Sequence, residues 1–182
     1  FRPTVNLARK DDINQACILL GHIGGLMSDP DYFTIEVMNR ALSDRVFKNV
    51  RSREGLAYAA YGYYGSEFDH PGVFIVLCQT KSEATVYAIR AMVNEVRKIT
   101  ASETSDKELA LAREGFLNSF VFNFESKGEI VERLMTYEYF GYPADFLQKT
   151  KQNVEKVTKA DVLRVARKHL QPDKVQVLAV GR

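Results

Sequence analysis

The chain has 182 residues, of which 46% are hydrophobic and 26% are charged, and this length predicts one domain over residues 1–182. Eleven Phe, nine Tyr and a net charge of only +2 exclude a disordered chain and give no reason to expect a nucleic-acid partner. No apolar run approaches the ~20 residues that span a bilayer, so no membrane span is expected.

The first third of the chain predicts two strands followed by two helices. Alternation in residues 4–9 and the apolar run of residues 15–20 predict the strands, and the glycines that follow predict a sharp turn. Asp29 and the proline after it predict an N-cap followed by proline at the first helical position. A separate short helix is predicted over residues 45–53, and Gly55 is placed to end it.

The remaining residues predict a hairpin, several helices and a closing strand. Residues 56–64 and 73–80 read as strands, joined by a polar loop, and residues 175–180 read as the last strand. After residue 82 the apolar period changes from two to 3.6, which predicts helices. Three of these helices begin with a capping box, formed by Ser105 with Glu108, Ser126 with Glu129 and Thr158 with Asp161.

The order of these elements predicts an α+β fold. Strands come early and helices late, which favours two layers: a largely antiparallel sheet covered on one face by helices. The acidic stretch of residues 101–145 and the basic residues that follow have the spacing of solvated helix faces. Apolar helix stripes are predicted from Val86, Ile89, Val93 and Val96, and from Ile130, Leu134 and Tyr137.

The sequence lacks the common motifs of metal, nucleotide and nucleophile sites. His22, His70 and His169 have no other ligand at a metal-binding spacing, so we expect no metal in this chain. A phosphate loop and a GxSxG elbow are absent too, and no cofactor is expected. Cys17 and Cys78 lie in apolar runs, which predicts buried free thiols.

One segment, VRSREGLAY, carries candidate functional residues. A helix would hold Arg51 in its last turn, and Tyr58 would open the following strand. A guanidinium and a phenol at one sheet edge are two hydrogen-bond donors, suited to a peptide carbonyl that gains negative charge during attack. Equally, Arg51 could simply favour the negative helix end, and Tyr58 could be an ordinary strand aromatic.

This segment resembles the second, non-zinc half of the pitrilysin/insulinase family of metallopeptidases, which includes mitochondrial processing peptidase. The resemblance extends to DPDYFTIEVMNRAL, to the Phe-rich stretch after Ser105 and to the closing helix and strand. Family members pair two related α+β halves in a clamshell. The resemblance implies that a partner half, in the same or a separate chain, carries HxxEH and zinc.

The resemblance also implies a role for each candidate residue. Arg51 and Tyr58 match the family's Arg and Tyr, seven residues apart, which bind and polarise the substrate carbonyl opposite the zinc. This chain alone would then be inactive and would be about half of a longer protein. One departure concerns Ser43 and Asp44, where family members have a longer Gly/Ser-rich turn.

Two other interpretations remain at this point. Some relatives are noncatalytic structural or core subunits of larger complexes, and the Arg–Tyr pair only makes this less favoured. A basic nucleic-acid module rests on the C-terminal lysines and arginines alone. The peptide substrate, the compartment, and whether the chain forms a homodimer or a heterodimer are not predicted.

Overall fold

A computed structural model describes residues 4–53 and 57–182, apart from the side chains of Ser52, Arg53 and Asn123. The strands are β1 (Val5–Arg9), β2 (Gln15–Ile23), β3 (Gly25–Leu26), β4 (Ala57–Tyr64), β5 (Ser66–Glu67), β6 (Val73–Lys81) and β7 (Gln176–Gly181). The α-helices are α1 (Tyr32–Val46), α2 (Thr85–Ala101), α3 (Asp106–Val121), α4 (Lys127–Tyr139), α5 (Phe146–Lys156) and α6 (Lys159–His169).

Five of the strands form one sheet in the order β1-β7-β2-β6-β4. Within this sheet the pairs β7–β2, β2–β6 and β6–β4 are antiparallel, and β1 pairs with β7 in parallel. The strands β3 and β5 form a separate two-stranded ribbon. The predicted α+β class with a largely antiparallel sheet is confirmed.

The helices cover one face of this sheet, which we call the covered face. Alternate residues of β2 and β6 point into the core on that side, where Ile18, Leu20, Phe74 and Val76 are fully buried. Helix α1 packs on β4, and α2 packs on β2 and β6. The predicted two-layer arrangement follows from this burial.

The opposite side of the sheet, which we call the open face, is also apolar. A row of cross-strand neighbours runs over it from β4 to β7, because Tyr61 pairs with Leu77, Leu77 with Leu19, and Leu19 with Leu178. Leu19 and Leu77 are partly buried, whereas Tyr61 and Leu178 are exposed. The sheet is therefore apolar on both faces but covered on one.

Helix α1 differs from its prediction at both ends. It begins at Tyr32 and not at the proline, because the Asp29 carboxylate accepts the backbone N–H of Asp31 (2.8 Å) and forms a turn before the helix. At the other end α1 continues directly into a π-helical segment, Phe47–Arg53, so the predicted separate short helix is wrong. Gly55 lies outside the described residues.

Ser43 and Asp44 lie inside α1, and the turn expected from the family pattern is replaced by helix at this point. The Ser43 hydroxyl accepts the backbone N–H of Gly62 (3.2 Å), which ties α1 to strand β4. The short sequence between Leu42 and Arg45 is thus accommodated by a continuous helix.

The glycine-rich stretch after β2 also behaves differently from its prediction. Gly21 does not end the strand but lies within β2, where a Cβ atom would lie 1.9 Å from the carbonyl oxygen of Phe74. Glycine is needed there because the neighbouring backbone approaches so closely. The polar loop after β4 contains strand β5, which the sequence did not predict.

The three predicted capping boxes are confirmed at the starts of α3, α4 and α6. The predicted stripe on α4 is wrong, because within this helix only Tyr137 is buried. Helix α4 packs through Tyr137, whose ring contacts Phe68, Tyr142 and Phe146. The stripe predicted on α2 is wrong at Val86, which is exposed.

Both cysteines are free thiols, but only Cys78 is fully buried, and burial raises its pKa to about 11. Among the described residues, none of the helices combines the length and the hydropathy that a membrane crossing requires.

Candidate functional site

The π-helical segment carries Arg51 on its exposed side. Val50 in the same segment is fully buried, whereas the Arg51 side chain extends outward with its guanidinium carbon 4.9 Å from the centre of the Phe47 ring. Phe47 and Arg51 are four residues apart, and a guanidinium over an aromatic face is a favourable cation–π contact.

A buried carboxylate anchors this segment to helix α2. The Asn49 side-chain amide donates to Glu95 Oε2 (2.8 Å), and the Lys98 ammonium lies 2.7 Å from Glu95 Oε1. The Glu95 side chain is almost fully buried, so these two partners supply the polar contacts that water does not reach. This anchor restrains the segment two residues before Arg51.

Tyr58 lies at an irregularity of the edge strand β4. Ala57 pairs with Thr80 and Ala59 pairs with Gln79, which leaves Tyr58 as an extra residue in the ladder. Such a bulge bends the strand and redirects a side chain, and bulges are common beside active sites. The Tyr58 side chain is 54% exposed. The phenol is therefore available to a ligand at this edge.

The elements that hold the two predicted residues touch each other, since the π-helical segment packs against β4. The chain between them, residues 54–56, lies outside the described residues. Both side chains are exposed hydrogen-bond donors on neighbouring elements, with β4 at the edge of the sheet. Each of the two side chains can therefore offer a hydrogen-bond donor to a ligand near its own element.

A second group of chemically interesting side chains lies where α1 begins and α6 ends. Potential ligand atoms of Asp29, Asp31 and His169 lie within 4.8 Å of one another. Asp31 Oδ1 is already 2.8 Å from the Arg164 guanidinium, and Asp31 Oδ2 is 2.7 Å from the Lys168 ammonium. A zinc ion does not fit here, because both oxygens of the central carboxylate bind resident cations.

These cations set the ionisation of Asp31. Burial alone would raise the pKa of this carboxyl, but hydrogen bonds from Lys168, Arg164 and His169 outweigh burial and lower the pKa to about 2. The cluster therefore joins α6 to the start of α1 as an ion-pair network.

The sequence did not predict the roles of Asn49, Glu95 or the bulge at Tyr58. Glu95 is three residues after buried Met92 and four before buried Ile99, so an acidic residue on an apolar helix face was the available signal. The bulge has no such signal, because it depends on the pairing of β4 with β6.

Comparison with known proteins identifies the family of this chain. The sequence profile of the peptidase M16 inactive domain matches residues 2–116, which is most of the chain. The chain belongs to this family. The predicted resemblance is thereby confirmed at the level of the M16 inactive domain.

The M16 inactive domain described here is similar to two curated proteins and to many solved structures. It is 27% identical over 157 residues to an uncharacterized zinc protease of Streptomyces coelicolor, covering 84% of this chain and 34% of that protein. It is 25% identical over 134 residues to an uncharacterized zinc protease of Bacillus subtilis, covering 71% of this chain and 32% of that protein.

The fold matches a crystal structure of a peptidase M16 inactive domain from Pseudomonas fluorescens. The TM-score is 0.89 at 22% identity, over 99% of this chain and 44% of that chain. The M16 domain thus spans about a third of the length of the curated relatives and less than half of this structure's chain.

Proposed function

We propose that this M16 inactive domain is the zinc-free, substrate-binding half of a clamshell metalloendopeptidase. The observation that supports the proposal is the exposure of Arg51 and Tyr58 on two elements that pack together at the edge of the sheet. Their spacing of seven residues is the one that the resemblance implies. The domain would close over an extended peptide and be inactive alone.

The proposed chemistry follows from the two donors. When water attacks a peptide carbonyl, the carbonyl oxygen gains negative charge, and donors already aimed at it lower the barrier. Arg51 would contribute a permanent positive charge, and the Tyr58 hydroxyl would contribute a neutral donor. The partner half, carrying HxxEH, would supply zinc as a Lewis acid that activates water.

Strand β4 suits an extended peptide because it is an edge strand with one free side. The Gly62 N–H is already bound by Ser43, which removes one donor of this edge from peptide pairing. Pairing is therefore expected along residues 57–61, the part of the strand that contains Tyr58. A peptide paired in this way would lie next to the proposed donors.

The test is to reconstitute the domain with an HxxEH-bearing half from the same genome and to measure cleavage of a quenched fluorogenic peptide. We expect Tyr58→Phe to lower kcat by roughly 10²–10³ while KM changes little, since the lost donor acts mainly in the transition state. Tyr63→Phe is the matched control, because Tyr63 is another exposed tyrosine of β4.

An unchanged kcat in the Tyr58→Phe variant would show that Tyr58 does not have the proposed role. The alternative function is a noncatalytic structural subunit. It predicts that the zinc half cleaves equally well with wild-type domain and with an Arg51→Ala, Tyr58→Phe double variant, while assembly of the two halves is retained.

A further inference from the structure

The exposed side chain of Arg51 contacts one aromatic ring, that of Phe47, with the guanidinium carbon 4.9 Å from the ring centre. Among the described residues, no carboxylate pairs with Arg51. A long, exposed arginine has many accessible rotamers, and fixing one of them costs conformational entropy. The position of this guanidinium therefore depends on the Phe47 ring.

The backbone that carries Phe47 is held by the core. Phe47 directly follows α1 and is the first residue of the π-helical segment. Val46 before it and Val50 after it are fully buried. The segment packs against β4 and α2, and the hydrogen bond from Asn49 to Glu95 (2.8 Å) ties it to α2. The ring therefore starts from a fixed point of the fold.

The Phe47 ring itself is 44% exposed, so it contributes less to the core than the two valines do. Replacing it with another apolar side chain should change the stability of the domain little. The contact between Phe47 and Arg51 can therefore be removed by substitution while the fold is kept.

A ring holds an arginine differently from a carboxylate. A carboxylate partner would neutralise the positive charge and occupy N–H donors of the guanidinium. A cation–π contact restrains the guanidinium but leaves its charge and its N–H donors available to another oxygen. An arginine that must stabilise a developing negative charge is therefore better held by a ring than by an acid.

We propose that Phe47 is a positioning residue, which holds the Arg51 guanidinium ready for the substrate carbonyl without neutralising its charge. This inference rests on the proposed function of Arg51 and adds a residue that acts through it. Phe47 lies four residues before Arg51, so one turn of the π-helical segment carries both the donor and its support.

The first test is kinetic and uses the domain reconstituted with its HxxEH-bearing half. We expect Phe47→Leu, which keeps apolar bulk but removes the ring, to lower kcat roughly two- to fivefold with little change in KM. Phe47→Tyr keeps the ring and should restore kcat. Phe122→Leu is the matched control, since Phe122 is another exposed phenylalanine, in the turn after α3, and should leave kcat unchanged.

A double-mutant cycle separates positioning from a structural role. If Phe47 acts through Arg51, Phe47→Leu should have no further effect on kcat in the Arg51→Ala background. An equal loss in both backgrounds would overturn the inference, because Phe47 would then support the fold and not the guanidinium. An unchanged kcat in Phe47→Leu beside an impaired Arg51→Ala would also overturn it, while the proposed function would stand.

The contact itself can be measured by NMR on the chain without a partner half. Protons that lie over an aromatic ring are shifted upfield, so we expect upfield side-chain resonances for Arg51 that are lost in Phe47→Leu and kept in Phe47→Tyr. Random-coil resonances for Arg51 in the wild type would overturn the inference whatever the kinetics show. An unchanged kcat in Arg51→Ala would instead refute the proposed function, and the need for positioning with it.

Discussion

The two faces of the central sheet have similar composition but different environments. On β2 and β6 the covered face presents Leu20 and Phe74, which are fully buried, while the open face presents Leu19 and Leu77, which are partly exposed. The same strands therefore bury apolar area under helices on one side only. The comparison indicates that the covered face supplies most of the stability of the domain, whereas the open face contributes less because its side chains stay partly exposed.

The largest expected effect tests this difference directly. Phe74→Ala removes the largest fully buried side chain of the covered face and should lower the free energy of unfolding by ~3–5 kcal/mol, because a cavity remains in the core. Tyr61→Ala on the open face removes another aromatic ring and should cost less than ~1 kcal/mol. Urea denaturation of dilute, monomeric protein measures both values.

Equal losses in these two variants would show that the open face contributes to the stability of the monomer as much as the core does. The distinction between the faces would then fail. Dilution matters, because binding of one copy to another would add to the apparent stability.

The sequence predicted much of this architecture because local signals specify it. Alternation located β4 and β6, and the capping pairs located the starts of α3, α4 and α6. Which face a helix covers depends on contacts that are distant in sequence. The stripe of α4 was therefore recognised as apolar, but its exposure was not predicted.

At the candidate site, too, local features could be predicted from the sequence and features that depend on distant contacts could not. Arg51 and Tyr58 could be selected from one short segment, because the residue types and spacing are local. The π-helical segment, the Glu95 anchor and the bulge at Tyr58 could not, since each requires α2 or β6 to be packed in place.

A half-buried carboxyl in the covering layer, that of Glu36, should produce the next largest effect. Burial raises the pKa of Glu36 on α1 to about 7. Below pH ~4.5 this group is protonated in both states, so burial of its charge costs nothing. As the pH rises from ~4.5 to ~7, the unfolded state loses its proton first and the folded state is destabilised, and above this range the cost stays constant. Glu36→Gln should therefore stabilise the domain by ~2–3 kcal/mol at pH 8 and leave it nearly unchanged at pH 4.

Urea denaturation of wild type and Glu36→Gln at the two pH values gives this difference. A stabilisation of the same size at pH 4 would mean that the effect comes from packing and not from charge. No stabilisation at pH 8 would mean that water reaches this part of the covering layer as freely as it reaches the open face.

The smallest effect is expected for Asp31, a carboxylate just before α1 that forms ion pairs with Arg164 and Lys168. Although burial opposes it, the pKa of Asp31 falls to about 2 because Lys168, Arg164 and His169 donate to the carboxylate. The lowered pKa gives stability that is fully present above pH ~4 and is lost as the pH falls towards 2. Since Arg164 and Lys168 are about half exposed, we expect Asp31→Asn to cost only ~1–2 kcal/mol at pH 7, with the cost shrinking near pH 2. The control is Asp11→Asn, which breaks the exposed ion pair with Arg9 and should change the free energy of unfolding very little at either pH. If Asp11→Asn and Asp31→Asn cost the same, cover by the helices does not strengthen the Asp31 network.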